Sequence, residues 1–435
     1  MIARLLESVS GRVGAADAVV KTDDTLTLAV SPDGETRLTR FRSQTSHLRV
    51  VREGRVGWGI GGHDPTDIAD LVGRAMTSAV LGEELLLLLP GPAPVPEVTT
   101  RSHQTEAADA GDLNAMARLL LDRLQRSNRR VECWAERSVG SVRVGNTRGV
   151  MMGYRVSLAG VGAVVESIGV GSAPPCRVFS SATTLPTLPE IEALVAEVER
   201  RLLPPIAAPT PGVEPRMPVC LAPRAVVTFL RPLRAALTGL QALRGDSPLR
   251  GKLGEQLFDQ RLTLLDDPLA PGRPGSRPID DDGVVSRCLP LIDRGRVAGF
   301  LADLREGARA GVPSTGHGWR TAHASSRVGV TNLRILPGTE NRPTLLTMMG
   351  KGILIEELEW CAGPNPISGT IALRAPWAYL VEGGTIKGRL EGMVLSGNVF
   401  EALKELGGVG NDATWIGAVS VPTLLLNEMP VSGER

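Results

Sequence analysis

The chain has 435 residues, 42% of them hydrophobic, and its 48 Lys and Arg against 47 Asp and Glu leave a net charge of +1. This balance provides no overall attraction to nucleic acid or to an anionic membrane, so we expect neither as a partner. At ~100–200 residues per domain, the length favours two or three domains, each large enough to bury a core.

The cysteines and the apolar runs limit the classes of protein further. The five cysteines are scattered and none forms a C-x-x-C pair, which argues against a disulfide framework and a thiolate-rich zinc module. Residues 1–13 carry charges and lack the apolar stretch of a signal peptide. The longest apolar run, Leu85–Leu89, is far shorter than the ~20 residues that cross a bilayer. We therefore expect a cytoplasmic protein.

The first elements in chain order are a hairpin and a helix. Two strand-like runs, Leu48–Arg52 and Arg55–Gly59, flank a Glu-Gly dipeptide and predict a hairpin. Apolar residues then recur at helical spacing from Ile68 to Val80. This pattern predicts a helix with Asp64 as its N-cap and Pro65 in its first turn.

The next elements repeat this alternation of helix and strand. Apolar spacing predicts helices over Leu113–Leu124 and Ile191–Leu202, and strands over Val131–Arg137 and Val150–Val165, the latter preceded by a turn at Asn146–Gly149. The repeating rhythm of parallel β-α-β units is missing. We therefore predict an α+β fold whose N-terminal α/β domain has a mixed, largely antiparallel sheet with helices packed on it.

Two groups of prolines interrupt the chain. The first occupies residues 90–96, and the second, longer group occupies residues 204–218. X-Pro pairs disfavour helix and favour extended chain, so the second group predicts an interdomain linker. We expect an N-terminal domain over 1–203 and a C-terminal domain over 219–435, where glycine-rich loops and short strands prevail.

Familiar catalytic motifs are missing from the sequence. It contains no G-x-x-x-x-G-K-[ST] phosphate loop, no G-x-S-x-G elbow and no H-E-x-x-H helix. Only five histidines exist, and no two are separated by four positions. A zinc site built from two histidines on one helix is therefore excluded.

Two acidic runs have alternative interpretations. Asp280–Asp282 and Asp266–Asp267 contain carboxylates that hard cations prefer as ligands. Neither run has the spacing of a calcium loop, and Asp-Asp followed by Gly or Pro is typical of turns. We interpret both runs as solvated turns.

The segment Pro313–Arg320 combines small residues, a histidine and an arginine. Gly316 and Gly318 would let a ligand approach the backbone closely, and Arg320 would hold a carboxylate or a peptide carbonyl. The alternative is a tight loop whose Ser and Thr satisfy their own backbone. Cys361 has no histidine near it in sequence, which argues against a nucleophile.

The second half of the chain contains a series of short motifs: Ser247–Glu255, Leu262–Leu264, Asp266–Pro268, Asp280–Val284, Leu291–Gly295, Phe300–Asp303, Ser314–Gly316, Thr331–Leu333, Pro337–Gly338, Asn365–Gly369, Gly397–Asn398 and Val409–Asp412. In this order the motifs resemble those of the TldD/PmbA family. The hairpin at Glu53–Gly57 and the turn at Asn146–Gly149 extend the likeness to the N-terminal half.

The zinc ligands distinguish the two branches of this family. The proteolytic, TldD-like branch carries H-E-x-x-x-H on the helix that opens the C-terminal domain and a cysteine near the C-terminus. The corresponding segments here, Ala222–Gly239 and Ala413–Ser420, contain no His, Glu or Cys. The chain therefore resembles the PmbA branch, also called TldE, and we assign it no catalytic and no metal-binding residue.

The resemblance implies a role as the non-catalytic subunit of a heterodimeric TldD/TldE-type zinc metalloprotease, with zinc in the TldD-like partner and no cofactor in this chain. Its β-rich C-terminal domain would line a cleft for unfolded or precursor peptides, which are degraded or freed of a leader. The candidate peptide-cleft residues are Ser314, Thr315, Gly316, His317, Arg320 and Asn332.

Two alternatives remain open at this stage. One is a stand-alone, homodimeric peptide-binding or regulatory protein; the family label of DNA gyrase modulator belongs here, although the net charge offers no support for DNA contact. The other is a zinc-free hydrolase that uses Ser314. It has no evident base or orienting acid in sequence.

Overall fold

The N-terminal sheet is built mainly from two long hairpins. The computed structural model describes residues 1–62, 68–168, 174–202, 213–239, 245, 247–321, 324–361 and 367–433, and all structural statements concern these residues. The sheet has the order β3-β2-β1-β4-β5-β6, and all neighbouring strands in its described part are antiparallel. Its strands are β1 (Ala15–Val30), β2 (Thr36–Arg52), β3 (Arg55–Gly61), β4 (Arg129–Asn146), β5 (Met151–Ser167) and β6 (Cys176–Ala182).

The turns of these hairpins follow from their sequences. Glu53 and Gly54 both have positive φ, 52° and 77°, as the tight two-residue turn between β2 and β3 requires. Gly149 closes the turn between β4 and β5 with a φ of 93°. Both predicted turns are therefore confirmed, and so are the strands that they join.

Five helices accompany this sheet in the described chain. The three predicted helices are confirmed. Two of them begin three residues earlier than the apolar pattern suggested, because capping boxes at Asp109 and Thr187 set their first turns. The predicted cap Asp64 and Pro65 lie outside the described residues. The helices are α1 (Ile2–Val9), α2 (Ile68–Val80), α3 (His103–Ala107), α4 (Ala110–Leu124) and α5 (Leu188–Arg201).

Alternation along β1 divides the two faces of the sheet. The apolar clusters that contain α1, α2, α4 and α5 include six even-numbered residues of this strand: Ala16, Ala18, Val20, Leu26, Leu28 and Val30. Successive side chains of a strand point to opposite faces. Asp17, Val19 and Lys21 therefore point away from these helices.

The described residues of the C-terminal half form three sheets. A seven-stranded sheet and a six-stranded sheet are mainly antiparallel, each with one parallel pair, and a two-stranded hairpin stands apart. Their strands are β7 (Arg216–Leu221), β8 (Leu264–Asp266), β9 (Leu289–Asp293), β10 (Arg296–Val297), β11 (Gly318–Thr321), β12 (Ala324–Val328), β13 (Leu333–Ile335), β14 (Lys351–Trp360), β15 (Thr370–Glu382), β16 (Thr385–Leu390), β17 (Met393–Asn398), β18 (Leu406–Val409), β19 (Thr414–Ile416), β20 (Val419–Val421) and β21 (Leu424–Gly433).

Short helices connect these strands. The predicted helix at Ala222–Gly239 is two helices that meet at Leu230. Pro232 lies in the first turn of the second one, where its missing N–H costs nothing. The helices are α6 (Pro223–Phe229), α7 (Arg231–Ala236), α8 (Leu304–Ala310), α9 (Arg342–Met349) and α10 (Val399–Ala402). The predicted α+β fold with a β-rich second half is confirmed.

The two halves share part of their apolar core. One cluster joins residues of β4, β5, α4 and α5 with residues of β7, α9, β14, β15 and β21. Residues 204–212 of the predicted linker lie outside the described chain, so the domain boundaries stay a prediction. Within the described residues, no helix is long and apolar enough to cross a membrane.

Candidate functional site

Charged side chains meet where the N-terminal sheet faces the C-terminal half. Arg320, from β11, donates to Asp282 at 2.8 Å and to Asp17 of β1 at 2.5 Å. Arg49 of β2 lies 2.6 Å from the Asp17 carboxylate and 3.1 Å from that of Asp282. Lys21 contacts Asp281 at 2.5 Å. We call these residues, together with Asp280, the junction cluster.

The interpretation of Asp280–Asp282 as a solvated turn is wrong. All three residues are buried, with at most 2% exposure. Burial opposes ionisation of Asp282, but the positive charges of Arg49 and Arg320 outweigh it and hold its pKa below the ordinary value. Burial, followed by the charge of Asp282, raises the pKa of Asp280.

Asp266 is a second buried carboxylate that the sequence suggested was solvated. It is fully buried and accepts hydrogen bonds from the backbone and the hydroxyl of Thr331. His317 Nε2 lies 3.3 Å from its Oδ1, and His317 Nδ1 lies 2.8 Å from Thr315 Oγ1. The solvated interpretation of Asp266 is therefore wrong as well, because this carboxylate ties three segments of the chain together.

The six candidate peptide-cleft residues fall into internal networks. Ser314 and Thr315 are half-buried and bond the Ala302 backbone. Gly316, His317 and Arg320 are buried. The structure brings these five residues together ahead of and within β11, where they bond to the protein itself. Contact with a peptide stays a prediction.

Asn332, the sixth candidate, directly follows Thr331, which bonds the Asp266 carboxylate beside His317. It is fully buried, and its side-chain amide donates to the Asp267 backbone at 2.9 Å and to Ser276 Oγ at 3.0 Å. Its Oδ1 accepts from the Gly275 N–H at 2.9 Å. Asn332 therefore fastens the loop that carries Arg277, whose guanidinium stacks 4.3 Å from the Trp319 ring.

A cleft of about 1000 Å³ opens between α7, α8 and the β11–β12 hairpin. We call it the β12 cleft. Its walls include apolar residues of the chain after β12 and several arginines. The residues that line it include Arg234, Asp303, Glu306, Arg327, Val328 and Val330.

A second cavity, of about 510 Å³, lies between α5 and α6 and reaches residues 412–416. We call it the α5–α6 pocket. Helix α6 and this segment belong to the two parts of the chain that the sequence resemblance aligns with the metal-binding segments of the proteolytic branch. The structure brings them together here.

Ion pairs fill the wall of the α5–α6 pocket. Glu197 accepts from Arg224 at 2.5 Å, and Glu356 accepts from Arg200 at 2.9 Å and from Arg342. Although burial favours the neutral form of Glu356, its arginine neighbours hold its pKa at about 2.

These residues do not fit a zinc ion. Zinc takes imidazole, thiolate or free carboxylate ligands, whereas Glu197 and Glu356 of the pocket are engaged by arginines whose charge opposes a cation. Across the described part of the chain, no group of three His, Cys, Asp or Glu residues is arranged to hold a metal.

Sequence reasoning missed most of the charged residues that define these sites. Asp17, Lys21 and Arg49 stand on strands and meet partners that are more than 230 residues away in sequence. Arg234 had a local signal, because it interrupts the apolar face of α7 between the buried Leu233 and Ala236.

Comparisons with known proteins agree with this fold. A family model described as the PmbA/TldA metallopeptidase C-terminal domain matches residues 214–433. A solved structure of TldE from Thermococcus kodakarensis has a TM-score of 0.88 and 22% identity, and the likeness covers 99% of each chain.

Curated relatives match over shorter segments. A metalloprotease TldD homolog from Haemophilus influenzae is 32% identical over 36% of this chain and 32% of its own length. Metalloprotease PmbA from Escherichia coli O157:H7 is 24% identical over 67% of this chain and 62% of its own length. The chain thus spans less than two thirds of either relative. The family match, however, covers just over half of the 435 residues, so this protein belongs to the TldD/PmbA family.

Proposed function

We propose that this chain is the non-catalytic, TldE-like subunit of a cytoplasmic, heterodimeric metallopeptidase. A TldD-like subunit would supply the zinc, and this chain would help to bind and present unfolded or precursor peptides. The observation that carries the proposal is the α5–α6 pocket. The two segments that correspond to the metal-binding segments of the proteolytic branch border this pocket and carry no imidazole or thiolate. The pocket instead holds Arg224 paired with Glu197, and Glu356 shared by two arginines.

These ion pairs support a structural role for the pocket. Glu356 is 2% exposed and cannot lose its arginine partners without leaving a buried charge unpaired, which costs about 3–5 kcal/mol. A carboxylate held in this way is a poor base for activating water, because its pKa of about 2 makes it a weak proton acceptor.

The β12 cleft supports the peptide-binding part of the proposal. β12 pairs with β11 on one side, and no other strand of the described chain pairs with it. Residues 326–330 line the cleft. An extended peptide would add to this free edge through main-chain hydrogen bonds, which accept many sequences. We propose that the candidate residues from Ser314 to Arg320 act by holding the hairpin in place.

Co-expression with a TldD-like protein tests the subunit role. We expect a one-to-one complex that cleaves unfolded peptides and contains one zinc per heterodimer, while the isolated chain contains no stoichiometric zinc and cleaves nothing. The matched control replaces the glutamate of the partner's H-E-x-x-x-H motif by glutamine, which should abolish cleavage and leave the complex intact.

Light scattering on the co-expressed proteins adds a second readout. Recovery of this chain only as a homodimer, in the presence of a TldD-like protein, would favour the stand-alone regulatory alternative. Stoichiometric zinc and peptide cleavage by the isolated chain would overturn the non-catalytic assignment.

A further inference from the structure

We propose that the β12 cleft recognises a carboxylate group of its peptide ligand, and that Arg234 and Arg327 make this contact. The inference rests on the proposed peptide-binding role and adds the chemical class that the cleft selects. It concerns a cavity distinct from the α5–α6 pocket and uses no metal.

Arg234 is the central observation. It stands on α7, is half-buried and lines the cleft. No described residue forms a hydrogen bond or an ion pair with its guanidinium. Burial and the charge of the neighbouring Arg231 lower its pKa, so the protein surroundings disfavour its positive charge. The guanidinium of Arg234 therefore lacks an anion that would compensate its positive charge.

Other arginines of the same cleft already have partners. Arg305 lies 3.0 Å from the carboxylate of Glu83, and Arg309 pairs with Glu83 and with Glu306 at 2.7 Å. These ion pairs fasten α8 to the N-terminal half. Arg309 thereby also engages Glu306, an acidic residue that lines the cleft.

The remaining carboxylate of the cleft is engaged too. Asp303 caps α8 by accepting from the Glu306 N–H at 2.7 Å and accepts from Ser326 Oγ at 2.6 Å. Arg327, which follows Ser326 on β12, is exposed and forms no hydrogen bond or ion pair with a described residue. The cleft therefore presents two uncompensated guanidinium groups, one on each wall.

Apolar residues in the wall of the cleft strengthen the preference of the two arginines for a carboxylate. Ala235, Val328 and Val330 line the cleft beside the two arginines. A guanidinium binds a carboxylate through two parallel, charge-assisted hydrogen bonds, which are stronger where water is partly excluded. A neutral amide of the same shape offers one acceptor oxygen and no charge. The ligand is therefore a peptide with a carboxylate, located either on a side chain or at its C-terminus.

Peptide binding to the full-length chain tests this inference. Fluorescence anisotropy would compare three labelled nine-residue peptides of one sequence: central Glu with an amidated C-terminus, central Gln with an amidated C-terminus, and central Gln with a free C-terminus. We expect at least one carboxylate peptide to bind about tenfold more tightly than the amidated Gln peptide. The peptide with the larger gain identifies the source of the carboxylate.

Arginine variants assign the contact. Arg234→Gln should remove most of the preference, Arg327→Gln part of it, and Arg234→Lys should retain an intermediate preference because it keeps the charge. Arg287→Gln is the matched control, since Arg287 is exposed, has no described partner and lies outside the cleft lining. Thermal melting of each variant confirms that it folds.

Two results would overturn the inference: equal affinity for all three peptides, or a carboxylate preference that Arg234→Gln and Arg327→Gln leave unchanged. Either result would leave the subunit role standing if the complex with a TldD-like protein forms. Conversely, failure to form that complex would remove the subunit role, while a carboxylate preference measured on the isolated chain would persist.

Discussion

Arg320 shows how one residue connects the two halves of this protein. Its side chain is fully buried and lies between Asp282 of the C-terminal half and Asp17 of β1. Without this guanidinium, the burial of two carboxylates would be very costly. A buried pair contributes little net stability compared with apolar residues, but breaking it leaves charges uncompensated.

Replacement of Arg320 tests the junction cluster. We expect Arg320→Met to lower the free energy of unfolding by about 3–5 kcal/mol, because Asp17 and Asp282 would keep only Arg49 as a shared partner. Denaturant unfolding followed by circular dichroism measures this loss. Arg40→Met is the control: its pair with Asp24 is exposed and should contribute at most about 1 kcal/mol. Equal losses for both variants would contradict the assignment.

The carboxylate of Glu356 gives a prediction that depends on pH. Its pKa is about 2 in the folded protein and 4.5 ordinarily, so the folded state binds fewer protons between these values. The stability that its arginines confer is therefore complete above about pH 4.5 and is lost as the pH falls towards 2.

Glu356→Gln should accordingly destabilise the protein by about 3 kcal/mol at pH 7, and the difference from wild type should shrink below pH 4.5. Melting temperatures of both proteins between pH 7 and pH 3 check the trend. A difference that grows towards low pH would contradict the assigned ion pairs.

The packing of α2 on β3 shows what determines the distance between a helix and a strand. The two elements approach so closely that a Cβ atom on Gly57 would overlap the carbonyl oxygen of Ala75 and lie 2.6 Å from the Ala79 nitrogen. The apolar spacing of α2 predicts that it packs on the sheet. It does not reveal that glycine in the neighbouring strand sets the distance.

Two substitutions to alanine separate close packing from helix propensity. Gly57→Ala should destabilise the protein by about 1–3 kcal/mol, because backbone atoms of α2 would have to move. Gly73→Ala, on α2 itself, meets open space and should stabilise it by about 0.5–1 kcal/mol. Thermal melting would show opposite shifts, and a neutral Gly57→Ala would exclude the close approach.

Across the whole molecule, the two halves are joined by both charge and apolar packing. The shared core includes Leu120 of α4 and Leu354 of β14, which come from different halves. Glu83 of the N-terminal half pairs with two arginines of α8. Separate domains often unfold in separate steps. A shared core of this kind favours a single cooperative step.

Calorimetry tests this coupling. We expect one unfolding transition for the full chain, which Leu120→Ala, Leu354→Ala and Leu395→Ala each move to lower temperature, at a cost of about 2–5 kcal/mol. Leu395 is buried in the separate C-terminal cluster and is the control. A second transition that responds to only one of these variants would show that the halves unfold independently.

The sequence by itself determined the elements whose signals are local. Apolar spacing predicts α2, α4 and α5, turn chemistry predicts the hairpin at Glu53-Gly54, and motif order predicts the TldD/PmbA family. The absence of His and Cys from Ala222–Gly239 and Ala413–Ser420, which correspond to the metal-binding segments of the TldD-like branch, was likewise readable from the residues alone. Apolar spacing and turn chemistry act within a few turns of chain, and each motif is short, so all of these signals can be read without the tertiary structure.

Only the tertiary structure decided which polar residues are buried. Asp280–Asp282 has the sequence of a solvated turn, yet its partners Arg49 and Lys21 stand on strands more than 230 residues away. Arg234 and Arg327 likewise become the walls of one cleft only when α7 and β12 meet. A charged side chain is stable in the interior only beside its counter-charge. The packing of the N-terminal sheet on the C-terminal half, which local sequence does not encode, decides where that counter-charge lies.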